Sequence, residues 1–307
     1  MADWTEKAVT GVGRIREASP LAFPRTPGLK ALFRPGERRP PMRARTRDGT
    51  LGALLTVIGE EDREYRTDTD ESPLNLICSI EAVDDARGIP WGGTGFLVSP
   101  RTVVTAAHNL LQDHPLHGVL AATRARVRPG RRVDKDPFGA HDTGPADWTL
   151  HPLWRDQQVP GHDMAVIRLP APGPGVPGWL GVAALSDAAL ADRMVNVAGY
   201  PLKVGADGEE NRIPPEEVFM RLYWHADRVL ALEADQLFYD ADTSGGQSGA
   251  PVILMPLAED PFSGPTVVGI HIRGQDQAAD PARRLNNSAA RMTDGFMDLI
   301  AASVAAD

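Results

Sequence analysis

Asp242-Thr243-Ser244-Gly245-Gly246-Gln247-Ser248-Gly249-Ala250-Pro251 runs directly into the apolar stretch Val252-Ile253-Leu254. A serine between glycines, just ahead of such a stretch, reads as a nucleophile on a tight loop entering a strand. The glycines let backbone N–H groups, those of Gly246 and Ser248, converge on one point. A carbonyl oxygen that becomes negative during acyl transfer would sit there, and donors aimed at such an oxygen commonly make the largest catalytic contribution. The Gly-x-Ser-x-Gly elbow of another hydrolase class does not fit, because Ala250 stands two residues after Ser248.

A serine hydroxyl needs a base to take its proton, and the base needs a group to orient it. Thr105-Ala106-Ala107-His108 follows two strand-like runs, Phe96-Leu97-Val98 and Thr102-Val103-Val104. Asp163 heads another apolar run, Met164-Ala165-Val166-Ile167. The order His108, Asp163, Ser248 is that of a triad in which the acid fixes the imidazole and the imidazole deprotonates the serine. Each piece alone carries little; three in order, each beside a strand, carry much more.

Gly93-Thr94-Gly95-Phe96-Leu97-Val98, the Thr-Ala-Ala-His block, Asp163 to Ile167 and Gly245-Gly246-Gln247-Ser248-Gly249 resemble the trypsin-like serine peptidases, and most nearly the V8-like glutamyl endopeptidases. The likeness extends back to Val57-Ile58-Gly59-Glu60-Glu61-Asp62-Arg63 and forward to Val268-Gly269-Ile270-His271 and Ala290-Arg291-Met292-Thr293. It implies an all-β fold of two packed six-stranded antiparallel barrels, chymotrypsin-like, with a C-terminal helix. It also implies a serine endopeptidase acting on protein or peptide substrates, with no metal or organic cofactor. On this reading residues 1–55 are an N-terminal extension and 56–307 the peptidase. The first barrel spans about 72–170, the second about 180–286 and the helix about 294–304.

The residues agree with that outline. Thirty Gly and twenty-seven Pro in 307 residues imply many turns and short strands. Strands are expected over Leu74 to Ile80, Gly95 to Ser99, Val103 to Ala106, Val119 to Ala122 and Ala165 to Leu169. A second set is expected over Val195 to Gly199, Phe219 to Trp224, Gln236 to Tyr239, Val252 to Leu254 and Thr266 to Ile272. Asp134 to Pro160, rich in Asp, Pro and Gly, reads as an inserted surface loop. Pro170 to Pro177 reads as a link between barrels. Phe296, Leu299, Ile300 and Val304 recur at helical spacing.

Specificity rests on Thr243, His271 and Arg273. In the resembled family a His and a Thr five residues before the nucleophile contact the substrate's carboxylate; these are His271 and Thr243 here. A hydroxyl and an imidazole N–H suit that task, and a bound carboxylate would favour protonated His271. Arg273 stands where the family tends to carry an aromatic or small residue and is a candidate for contacts beyond the first pocket. The preference implied is Glu or Asp before the scissile bond. Asp242, six residues before Ser248, supports the alternative of Arg or Lys. Gln247 precedes Ser248 where trypsin relatives place an Asp that pairs with a newly cut amino terminus, so that ion pair is not available to this chain.

The net charge of -9 argues against general nucleic-acid affinity. No apolar run approaches the roughly 18 residues of a membrane span. Cys78 is the single cysteine, and Met1 to Lys7 lacks the basic-then-apolar pattern of a secretory signal, so a cytoplasmic protein is expected unless a leader precedes it. Residues 1–55 hold eleven Lys and Arg against five Asp and Glu, which leaves fifteen negative charges in surplus on the remainder. A basic arm could dock on that acidic body as a zymogen prosegment cut near Thr56 or Val57, or serve a regulatory partner; it could equally be a solvated flexible arm. Two readings therefore stand beside the free enzyme: a latent one held by the arm, and a peptidase fold that only binds a partner.

Overall fold

The computed structural model describes residues 55–56, 63–114, 116–171, 178–202, 204, 214–217, 219–255, 264–273 and 286–305. The basic arm, the proposed cut at Val57 and most of the Pro170 to Pro177 link lie outside those residues. Two short strands, β1 (Leu55–Thr56) and β2 (Glu64–Arg66), precede the first sheet. Then come β3 (Ile77–Asp84), β4 (Ile89–Leu97), β5 (Thr102–Thr105), β6 (Leu111–His114) and β7 (Gly118–Ala121). They are followed by β8 (Arg124–Pro129), β9 (His141–Thr143), β10 (Trp148–Leu150) and β11 (Ala165–Arg168). The carboxyl-terminal half supplies β12 (Gly181–Val182), β13 (Met194–Gly199), β14 (Leu222–Leu232), β15 (Gln236–Tyr239) and β16 (Thr243–Ser244). β17 (Pro251–Leu254), β18 (Thr266–Arg273) and β19 (Asn287–Arg291) complete it.

The first half folds as an antiparallel sheet in the order β10-β11-β5-β4-β3-β8-β9, with β6 and β7 forming a separate hairpin. In the second half β18-β17-β13-β14-β15-β19 closes on itself, since β19 pairs with both β15 and β18. The fold is the chymotrypsin-like one. Unlike the second ring, the first sheet has, among the described residues, no ladder joining its outer strands, β9 and β10. The second barrel also runs past residue 286, because β19 is the strand that closes it.

Side-chain alternation explains how the halves join. Val103 on β5 and Ala165 and Ile167 on β11 pack inside the first sheet, whereas Val104 and Val166 face the seam. On β13, Val195 and Val197 fill the second barrel, while Met194 and Ala198 face the seam. These strands bury both faces, so they read as continuous apolar runs rather than alternating ones. Each aliphatic side chain removed from water contributes roughly 1.5–3 kcal/mol. The closing helix α3, Asp294–Ala305, seals the seam with Phe296, Met297, Ile300 and Ala301. Thr293 opens that helix: its hydroxyl accepts the N–H of Phe296 and its carbonyl that of Met297.

Two expectations need correction. Leu74–Leu76 is a 3-10 turn, and the strand begins at Ile77. Asp134 to Pro160 is not plain loop: it holds β9, β10 and helix α1 (Pro152–Gln157). Composition concealed this because two tryptophans do the anchoring. Trp154 is buried, Trp148 packs on the first core, and the Trp148 indole N–H donates to Thr143 Oγ1 at 3.0 Å. A further short helix, α2 (Asp187–Leu190), leads into β13.

Candidate active site

His108 lies on a 3-10 turn, Ala107–Asn109, immediately after β5. Asp163 closes a second turn, Pro160–His162, immediately before β11. β5 and β11 are paired, with Ala165 opposite Thr105, so the two turns meet at one sheet edge. Asp163 grips the histidine twice. Its Oδ2 lies 2.5 Å from His108 Nδ1, and its Oδ1 accepts the His108 backbone N–H at 2.9 Å. The carboxylate side chain is 3% exposed and the imidazole 18%, so the acid is sealed while the ring opens toward the cleft. Trp154 packs beside the ring at 6.1 Å between centroids, and its indole N–H donates to the Leu111 carbonyl at 2.9 Å.

Ser248 comes from the second barrel, and the loop carrying it is stapled to both halves. Its carbonyl accepts the Thr94 N–H at 2.8 Å and the Asn109 side-chain amide at 2.8 Å. Asn109 follows His108 directly and also donates to Thr105 Oγ1 at 2.9 Å. The Gly249 N–H donates to the His271 carbonyl at 2.7 Å, and the His271 N–H to the Ala250 carbonyl at 2.9 Å. Gly249 has φ of +87°, and a Cβ there would fall 2.0 Å from the Thr94 carbonyl oxygen, so no other residue fits this crossing. Gly246 has φ of +94° and donates nothing inward: its carbonyl is held by Thr94 Oγ1 at 2.9 Å. Among the described residues the N–H groups of Gly246 and Ser248 have no protein acceptor. The Ser248 hydroxyl is half-buried and forms no hydrogen bond to His108.

His271, on β18, is 2% exposed. Its Nδ1 lies 2.6 Å from the hydroxyl of Tyr239, whose phenol is pushed far up by complete burial and so stays protonated. The hydroxyl therefore donates to Nδ1, and the ring proton belongs on Nε2. Burial first, and then the nearby His108, push His271 down to about 3, against a smaller opposing hydrogen bond with the Ser288 backbone. In the free protein burial thus favours the neutral ring. Thr243 is buried on β16, and Arg273 is exposed at the end of β18. Asp242 is 0% exposed and turned toward His225, 3.4 Å from Nδ1, a nitrogen that also accepts the Asp242 N–H at 2.7 Å.

Sequence reasoning passed over Thr94, Asn109 and Tyr239. The only available hints were a polar amide after His108 and a hydroxyl-tipped ring in an apolar strand; their partners lie far away in sequence. His162, beside Asp163, stacks on His151 with ring centroids 4.8 Å apart.

An acid-gripped imidazole, a glycine-cradled serine and two N–H groups at a seam between β-barrels define the architecture of a chymotrypsin-fold serine peptidase. The family model of the trypsin-like peptidase domain matches residues 93–255, a span holding His108, Asp163 and Ser248. The chain belongs to the trypsin-like peptidases, serine endopeptidases, and is of the V8-like kind. It is 26% identical over 268 residues to a glutamyl endopeptidase of Bacillus licheniformis, covering 87% of this chain and 70% of that one. It is 25% identical over 220 residues to an extracellular metalloprotease of Bacillus subtilis, covering 71% of this chain and 63% of that one. Among solved structures, a Glu endopeptidase in complex with MPD superposes with a TM-score of 0.62 at 18% identity, over 81% of this chain and 99% of that one. No group of three or more His, Cys, Asp or Glu side chains among the described residues is arranged to hold a metal ion.

Proposed function

We propose that the protein cleaves peptide bonds after acidic residues through an acyl-enzyme formed on Ser248. His108 takes the Ser248 proton as the hydroxyl attacks the scissile carbonyl, then gives it to the departing amine. Asp163 keeps the His108 proton on Nδ1, which leaves Nε2 as the acceptor, and it stabilises the imidazolium that forms. The N–H groups of Gly246 and Ser248 bind the developing oxyanion. Water then attacks the ester by the same proton route in reverse, releasing the acid product and restoring the serine. The observation that carries this reading is the double grip of Asp163 on His108, next to an asparagine that bonds the Ser248 carbonyl.

The acidic preference is supported by the donors around the first pocket. A substrate carboxylate would recruit the N–H of neutral His271, which in the free protein is engaged with the Ser288 backbone, and the Thr243 hydroxyl. A basic side chain would require Asp242, and that carboxylate is fully buried beside His225. The similar protein of Bacillus licheniformis is a glutamyl endopeptidase, which supports this choice. Arg273, exposed on the strand beyond His271, is the candidate for attracting acidic residues further along the substrate.

Ser248→Ala is expected to abolish turnover, a loss on the order of 10⁴-fold or more, with folding unchanged by circular dichroism. The parent should react with a fluorophosphonate probe at Ser248 and the variant should not. Cleavage of a random peptide library should be enriched in Glu at the position before the cut. Enrichment in Arg or Lys would overturn the pocket assignment and leave the catalytic one standing, whereas an active Ser248→Ala protein would overturn both.

A further inference from the structure

The loop that carries the oxyanion donors is held from beneath by a residue that precedes the whole first sheet. Arg63 is buried, at 7% exposure, just ahead of β2. Its Nη1 donates to Gln247 Oε1 at 2.7 Å and to Ser244 Oγ at 2.7 Å, spanning 184 and 181 residues of sequence. Gln247 Oε1 also accepts the Ser244 N–H at 2.9 Å, and the Gln247 N–H donates to the Ser244 carbonyl at 3.0 Å. Gln247 is fully buried and is the residue between the two N–H groups assigned to the oxyanion. Its carbonyl carbon begins the peptide that ends in the Ser248 N–H. Fixing its side chain therefore fixes the direction in which that N–H points.

A second contact comes from the same part of the chain. β1 pairs antiparallel with β16, Leu55 opposite Ser244 and Thr56 opposite Thr243. The uncut chain thus lays a strand along the wall of this loop and then, seven residues on, sends Arg63 into its base. Burying a guanidinium costs several kcal/mol unless its donors are satisfied, and two of the bonds that satisfy this one run to the loop. Arginine also stays charged at any working pH and donates through a rigid planar fork. Those properties suit a strut better than a packing residue.

We infer that Arg63 is a positioning residue that orders the oxyanion loop through Gln247 in the uncleaved chain, so that hydrolysis does not depend on a freshly cut amino terminus. The inference rests on the reading of Ser248 as nucleophile and of Gly246 and Ser248 as oxyanion donors. It differs from the prosegment expectation: on this view the chain before Val57 supports the loop instead of restraining it.

The test uses the full chain, shown by intact mass to be uncut, and compares it with Arg63→Met, Arg63→Lys, Gln247→Leu and the Arg63→Met/Gln247→Leu double variant. Arg63→Met and Gln247→Leu should each lower kcat about 10²-fold, the loss typical of a misplaced oxyanion donor, with KM little changed. Affinity for a peptide boronic acid, which forms a tetrahedral adduct with the serine, should fall in parallel with kcat. The double variant should lose no more than either single one, because both break the same strut. Arg63→Lys should recover part of the loss. Should Arg63→Met fail to fold, Gln247→Leu, which alters no charge, still reads the effect through kcat and boronate affinity. A folded Arg63→Met protein with parental kcat overturns the inference, as does a double variant whose losses multiply. An uncut chain that is inert until cleaved near Val57 overturns it too. A parent that neither cleaves peptides nor reacts with fluorophosphonate brings down the underlying serine reading, and this inference with it; a reactive parent with an indifferent Arg63 removes this inference alone.

Discussion

His108 and His271 approach one seam from opposite barrels, and the fold treats them differently. His108 receives a sealed carboxylate on Nδ1 and keeps its ring partly open to the cleft. His271 receives a phenol on Nδ1 and is closed off almost completely. A carboxylate partner stabilises the ring when it gains a second proton, as a shuttle must. A protonated phenol does not, and burial opposes that charge further, so His271 can offer a proton in a hydrogen bond without becoming a competing base. On the proposed mechanism the same residue type thus serves as a proton carrier on one side and a fixed donor on the other, by its neighbour and its depth.

Three changes would break or sharpen this contrast. The largest effect belongs to Asp163→Asn, which retains shape but removes the charge and favours the wrong tautomer of His108; kcat should fall about 10⁴-fold in steady-state assays. A fall smaller than about tenfold would mean that the carboxylate only holds the turn together. Next comes Tyr239→Phe, which removes the phenol from His271 Nδ1 and frees the ring to take either tautomer. Selectivity for a Glu over a Gln peptide, measured as a ratio of kcat/KM, should drop about tenfold, the worth of one hydrogen bond, with little change on the Gln peptide. The smallest effect is on stability. His271 is held near 3 when folded and returns to about 6.5 when unfolded, so the unfolded chain binds the extra proton. The stability this provides is complete above pH 6.5 and is lost as the pH falls toward 3. By pH 5.5 the parent should have lost about 1 kcal/mol more than His271→Gln in urea titrations, and equal acid sensitivity would show that the ring is not held neutral.

Much of the catalytic side was readable because its chemistry is local. A serine between glycines, a histidine after a strand and an aspartate before one are each set by a few adjacent residues, and the pairing of β5 with β11 brings the turns of the last two together. Other parts were not readable, for a physical reason. Asn109 acts on a carbonyl 139 residues away, and Arg63 on side chains more than 180 away. Tyr239 meets His271 only because β15 and β18 both pair with β19. A single sequence gives the residue types at such positions but not their partners. The stretch from Asp134 to Pro160 misled for a different reason: its Pro, Gly and Asp content masks one buried tryptophan, Trp154, and one half-buried, Trp148, that order it.

The staple from Thr94 and Asn109 onto the Ser248 carbonyl, with Gly249 pressed against Thr94, has one more consequence. On the proposed mechanism base and acid belong to one lobe and nucleophile and pocket to the other, and these hydrogen bonds, with the apolar seam, keep them in register. A ligand, solvent or temperature that parts the lobes by an ångström need not melt either barrel to silence the enzyme. Inhibitors wedged into that divide, rather than into the substrate groove, would exploit the same weakness.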